Sequence, residues 1–136
     1  MFRFVLIFST NNMNDYTYPI PRNLTECFSV LDEIFNESRE DMDWFKSSIE
    51  DEAVSGLHNG LGRWIRNAWG FWSKDTELHE TLKNMGLWHA DDMYSVVMTS
   101  YYRKIHGSEL KLKEQIQQHI NYWKDYEKMN GPVEKD

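Results

Sequence analysis

From Leu24 onward the apolar residues of this chain recur at three- and four-residue intervals, the spacing of a helix face rather than the alternation of a strand. Leu24, Cys27, Phe28, Leu31, Ile34 and Phe35 draw the first stripe, and Asn23 precedes it with Glu26 placed as in a capping box. Ser38 opens a second helix. Glu40, Asp41 and Asp43 load its first turns, where the macrodipole favours negative charge, and Met42, Trp44, Phe45 and Ile49 supply its apolar side. Ser48 with Asp51 has the form of another cap. Val54, Leu57, His58, Leu61, Trp64, Ile65 and Ala68 then trace one face as far as Gly70, which marks its end. Gly60 and Gly62 fall inside that face, where each costs about 1 kcal/mol relative to Ala. Close approach of a neighbouring helix is the expected compensation.

Ser73 or Thr76 begins a short helix carrying Leu78, Leu82 and Met85, with Gly86 as its C-terminal cap. Asp91 and Asp92 occupy the first turn of the next, whose stripe is Met93, Val96, Val97, Tyr101 and Ile105, and Gly107 stops it. Leu112, Ile116, Ile120 and Trp123 line one side of the last helix, which Gly131-Pro132 ends. Ahead of all this, Tyr16 to Pro21 is an extended lead-in, because each proline disfavours helix at the residue before it. The pattern predicts an all-α fold: a single compact domain of about five or six helices over residues 16–130, an N-terminal extension over 1–15 and a frayed tail over 131–136.

The segment Met1 to Phe8 is apolar but too short to span a bilayer, and Ser9-Thr10-Asn11-Asn12 offers no signal-peptidase pattern. It is either a strand or apolar arm packed on the body, or an extension upstream of a natural start at Met13. The organised pattern begins only after Met13, which favours the second.

Composition narrows the partners. The 136 residues carry a net charge of −7, with no basic stripe, which argues against a phosphate backbone and so against nucleic acid. No segment suggests a membrane partner. One cysteine, Cys27, excludes an intrachain disulfide and fits a reducing cytoplasm, with a small buried apolar side chain as its expected role. With six Trp, seven Tyr and seven Phe, much of the core must be built from large rings, and the six Trp exceed what one small core needs, so one or two are expected at the surface.

Candidate chemistry concentrates between Gly60 and Trp72, where arginines alternate with indoles. Burying Arg63 or Arg66 demands a carboxylate nearby, and the expected pairing is Arg66 with Asp92, locking two helices. Arg63, Arg66 and Asn67, with Trp64, Trp69 or Trp72 alongside, are otherwise candidates for an anion pocket with a stacking ring. Trp69, Phe71, Trp72, Trp88, Tyr102, Tyr122 and Tyr126 are candidates for an aromatic protein-binding face. His58, His89, Asp91 and Asp92 are suitable types for a metal but lack ligand spacing, so no metal and no cofactor is expected. His89 is more simply an N-cap, and His79, His106 and His119 fall on polar faces and read as solvated. Nucleophile elbows and phosphate loops are absent.

Tyr18-Pro19-Ile20-Pro21, the run from Leu61 to Trp72 and His89-Ala90-Asp91-Asp92-Met93 together resemble a family of small helical proteins of bacteria and phages, a domain of unknown function. The resemblance covers roughly Tyr16 to Trp123, and its one departure is Ala90 where the family pattern has Pro, another first-turn residue. It implies, by analogy, a role in conflict, as a toxin-neutralising partner or a phage inhibitor of host defence. The function expected is therefore a non-enzymatic protein-binding inhibitor in the cytoplasm, with Trp69, Trp72 and Trp88 as anchors and an acidic surface that steers a basic partner. The rival is a binder of a nucleotide-like anion through Arg63, Arg66 and Asn67. A hydrolase using Asp91 or Asp92 as base comes third.

Overall fold

The computed structural model describes residues 18–135, so the expectations for the N-terminal extension and for Met13 lie outside the described residues. Those residues form seven helices and no strand: α1 (Leu24–Asn36), α2 (Arg39–Ser47), α3 (Glu50–Gly56), α4 (Leu61–Ala68), α5 (Glu77–Asn84), α6 (Ala90–Ile105) and α7 (Leu112–Asn130). The all-α reading holds. The added helix comes from the face running through Gly60, which breaks in two.

α3 ends at Gly56, and the Gly62 N–H bonds to the Leu57 carbonyl at 2.7 Å before α4 continues. Gly62 also lies under Tyr94 of α6. A Cβ there would sit 2.7 Å from the Tyr94 ring and 2.9 Å from the Leu57 carbonyl oxygen, so the close helix approach expected of this glycine is real. Gly70 ends α4 at φ +78°, where the Phe71 N–H reaches the Arg66 carbonyl at 3.0 Å in a Schellman turn.

Caps follow the sequence closely, with two departures. Asn23, Ser38 and Thr76 each accept the backbone N–H three residues on. Glu26, however, reaches back to the Arg22 N–H at 2.9 Å and to its guanidinium at 2.7 Å, one residue earlier than a capping box would. The Ser48 hydroxyl donates to the Trp44 carbonyl at 2.7 Å and closes α2; Ile49, not Ser48, precedes α3 and is 64% exposed rather than part of an apolar face.

α6 is the hub. It packs against α1, α2, α3, α4 and α7, and Ala90, Met93, Tyr94, Val96, Val97, Met98, Ser100 and Tyr101 are all buried. A helix covered on most faces shows only a weak single stripe, which is why Tyr94 and Met98 escaped the pattern. Polar pins fix its neighbours: the Tyr94 hydroxyl donates to the Val54 carbonyl at 2.6 Å, Tyr101 to Asp32 at 2.7 Å, and the Arg103 fork to Glu50 at 2.8 and 3.0 Å. Cys27 is fully buried in α1, and burial pushes its thiol up, as befits a structural cysteine. Beyond α7 the Val133 N–H lies 3.0 Å from the Glu127 carboxylate. Among the described residues no helix is long and apolar enough to cross a membrane.

Close packing at Gly62 sets a clear expectation. Gly62→Ala improves helix propensity yet overpacks the α4–α6 contact, so urea unfolding should show a loss of about 1–3 kcal/mol rather than a gain.

Candidate functional site

The first turn of α6 spends three neighbouring polar residues on three different tasks. His89 is the N-cap: its Nδ1 accepts the Asp91 N–H at 3.1 Å, as its position before two aspartates suggested. An accepting Nδ1 places the ring proton of neutral His89 on Nε2. Asp91 faces α4, and Asp92 faces α7.

Asp91 Oδ1 lies 3.4 Å from Arg66 Nε, an ion-pair contact without hydrogen-bond alignment. The pairing is thus with Asp91, not with the expected Asp92, because α4 passes on the Asp91 side of the turn. Arg66 is only 6% exposed. Its NH1 is 3.2 Å from His58 Nδ1, and its guanidinium carbon is 5.5 Å from the Tyr94 ring centre. Since arginine only donates, His58 accepts and is neutral there. Burial, reinforced by the Arg66 charge, lowers the His58 pKa. Burial likewise lowers that of Arg66, against the pull of Asp91. The guanidinium is buried in this cluster, while the Asp91 side chain that faces it is 46% exposed. Arg63 and Asn67 are exposed and stand outside it, so the anion pocket expected from Arg63, Arg66 and Asn67 is not assembled.

Asp92 does what neither arginine does and ties α7 to the body. Its Oδ1 is 3.1 Å from His119 Nδ1, and its Oδ2 accepts the Trp123 indole N–H at 2.7 Å. Burial works to raise its pKa, but hydrogen bonds from His119 and Trp123 outweigh it and hold the carboxyl below the ordinary aspartate value. His119, expected to be solvated, is half-buried in this pairing, and His79 is buried at 4% exposure.

Around His89 gather the rings. Trp72 meets it edge-on at 5.6 Å, Trp88 at 5.5 Å, and Trp123 stacks on it at 5.5 Å. Trp123 in turn touches Trp88 at 4.7 Å, Tyr122 at 5.1 Å and Tyr126 at 5.4 Å. Of the aromatics expected at the surface, Trp72 is 52% exposed, Tyr122 58% and Tyr126 40%. Trp88 and Tyr102 are half-buried. Trp69 and Phe71 are each 1% exposed and Trp64 4%, so these belong to the core, not to a binding face. The Trp69 carbonyl accepts the Thr76 hydroxyl at 2.8 Å, which closes the 69–76 turn. The ring that organises the cluster, Trp123, reads in the sequence as one more apolar residue of α7; nothing marks it as the partner of Asp92.

On one flank of Trp123 opens a cleft of about 330 Å³ between the end of α5, the start of α6 and α7. Trp88, Trp123, Leu87 and Ile120 give it apolar walls, while Lys83, His119, Lys124 and Lys135 bring basic groups and Asp92 and Glu127 acidic ones. Among the described residues no group of three His, Cys, Asp or Glu side chains is placed to hold a metal ion.

The family model described as domain of unknown function (DUF6794) matches residues 20–105. The chain belongs to this family. The matched DUF6794 region takes in α1 to α6, hence Arg66, Asp91, Asp92 and Trp88, whereas His119, Tyr122, Trp123 and Tyr126 on α7 fall beyond it. No curated protein and no solved structure matches the chain.

The Asp92 contacts carry a stability prediction with a pH sign. Asp92→Ala leaves the Trp123 N–H and His119 without their acceptor and should lower stability by about 1–3 kcal/mol at neutral pH. A depressed folded-state pKa stabilises fully above the ordinary value of 3.8 and loses that contribution as pH falls through the lowered value. Urea titrations should therefore show wild type and variant converging at acid pH; a gap that persists or widens there would contradict the assignment.

Proposed function

We propose that this DUF6794 protein is a non-enzymatic binding protein that occludes a protein partner through the aromatic ridge formed by Trp72, Tyr122 and Tyr126. The observation that carries the reading is the continuity of that ridge: three exposed rings are linked through the buried sides of His89 and Trp123 rather than scattered singly. Large exposed apolar rings in contact with one another mark interaction surfaces, and Trp and Tyr dominate binding hot spots. Rings already held by their neighbours lose little freedom on binding. A net charge of −7 favours encounter with a basic partner.

The roles for single residues shift accordingly. Trp72 is the anchor retained from the sequence, Trp88 meets the same His89 ring that Trp72 meets, and Trp69 drops out because it is sealed in the core. The hydrolase alternative gains nothing from the geometry. Asp92 is occupied by His119 and Trp123 and held in its weakly basic form, and Asp91 neutralises Arg66. A general base needs a pKa near the working pH and a free lone pair aimed at substrate.

Affinity capture from a bacterial lysate, with wild type beside Trp72→Ala and Tyr122→Ala/Tyr126→Ala, tests the reading. A protein held by wild type should be lost from both variants, with melting temperatures unchanged, and should elute as salt is raised. Capture indifferent to these substitutions would sink the proposal. So would a ridge-dependent dimer seen by light scattering, since the ridge would then serve self-association.

A further inference from the structure

We infer that the cleft beside Trp123 is a binding site for an uncharged, fused-ring aromatic compound that carries one N–H or O–H donor. The reading does not rest on the ridge: Leu87, His119 and Ile120 line the cleft, and none of them belongs to the ridge.

The charged groups of the cleft are spent on one another. Asp92 holds His119 at 3.1 Å, and Glu127 faces the Lys135 ammonium at 3.6 Å and accepts the Val133 N–H at 3.0 Å. Lys83 has an interaction of its own. Among the described residues of the lining that leaves Lys124, an exposed side chain whose charge is screened by solvent. A ligand with a net charge would give up hydration here without gaining a buried counter-ion, which is costly. A neutral ligand meets no such cost.

Apolar surface supplies the attraction. Trp88 and Trp123 meet at 4.7 Å with planes 53° apart, and Gly86, Leu87 and Ile120 continue the wall. A volume of about 330 Å³ lies at the small end of ligand pockets and suits one or two fused rings. Asp92 fixes the Trp123 indole through its N–H at 2.7 Å, so this surface is set before a ligand arrives.

His119 supplies a polar group to orient the ring. The Asp92 carboxylate takes the Nδ1 proton of neutral His119, which places an acceptor lone pair on Nε2. A half-buried acceptor beside two indoles favours a ring that donates over one that cannot.

Titration with indole, followed by the tryptophan N–H resonances of the isotope-labelled protein in two-dimensional NMR, tests the site. Indole should bind saturably and shift the Trp88 and Trp123 signals. Indole-3-carboxylate and 3-(aminomethyl)indole should each bind about tenfold more weakly or less. For 1-methylindole, which lacks the donor, the loss should be about threefold or more. His119→Asn keeps a donor for Asp92 but has no Nε2, so the preference for indole over 1-methylindole should vanish in it while Trp88 and Trp123 still respond. If that variant does not fold, the ratio of the two affinities on wild type carries the decision. Either charged analogue binding as tightly as indole, equal affinity for 1-methylindole on wild type, or a preference that survives in folded His119→Asn would each overturn the inference. Shifts confined to Trp72, or no saturable binding of indole, would do the same.

Discussion

Asp91 and Asp92 are adjacent in sequence, yet their carboxylates serve opposite sides of one helix start. Asp91 balances a guanidinium that α4 has carried almost out of solvent, and Asp92 takes an indole N–H and an imidazole from α7. Consecutive residues on a helix point about 100° apart, so one turn can hold two neighbours without either contact disturbing the other. His89 completes the arrangement by capping the same turn and offering its ring as the floor of the aromatic cluster. The position of α7, and with it both the ridge and the cleft, depends on this turn.

α7 needs such a tie. Only Gln115 and Ile116 of its nineteen residues are buried, so its first turns dock by packing and its second half does not. Ile116 and Ile120 lie 3.4 and 3.1 Å from where a Gly86 Cβ would be, a contact that holds the helix close to the end of α5. Farther along, the Asp92 hydrogen bonds take over. Hydrogen bonds to a charged acceptor are stronger than neutral ones and directional, which suits a helix held at a few points.

Much of this architecture is legible in the sequence, because periodicity and capping act locally. Asn23, Ser38, Thr76, His89 and Gly70 each announce a boundary through chemistry confined to one turn. The break at Leu57–Gly60 was hidden because the apolar spacing continues across it, and only the Tyr94 ring pressed on Gly62 gives that glycine its meaning. The arginine–aspartate contact between α4 and α6 was readable as a pairing of types, but which aspartate Arg66 meets depends on helix rotation, which spacing does not reveal. Likewise, exposure of the six tryptophans was not legible: Trp69 and Trp72 stand three residues apart, and the turn at Gly70 buries one and exposes the other. Nothing in the spacing marks Trp123 or His119 as site residues, because both roles arise from distant contacts to Asp92, in the case of Trp123 across 31 positions.

The central claim, that Asp92 docks α7 through Trp123, is tested most directly by a double-mutant cycle of Asp92→Ala and Trp123→Phe in urea unfolding. Direct coupling predicts an interaction energy of about 1 kcal/mol or more, with the two losses smaller together than in sum. Additivity within about 0.3–0.5 kcal/mol would mean that the carboxylate and the indole act independently, and would contradict the account.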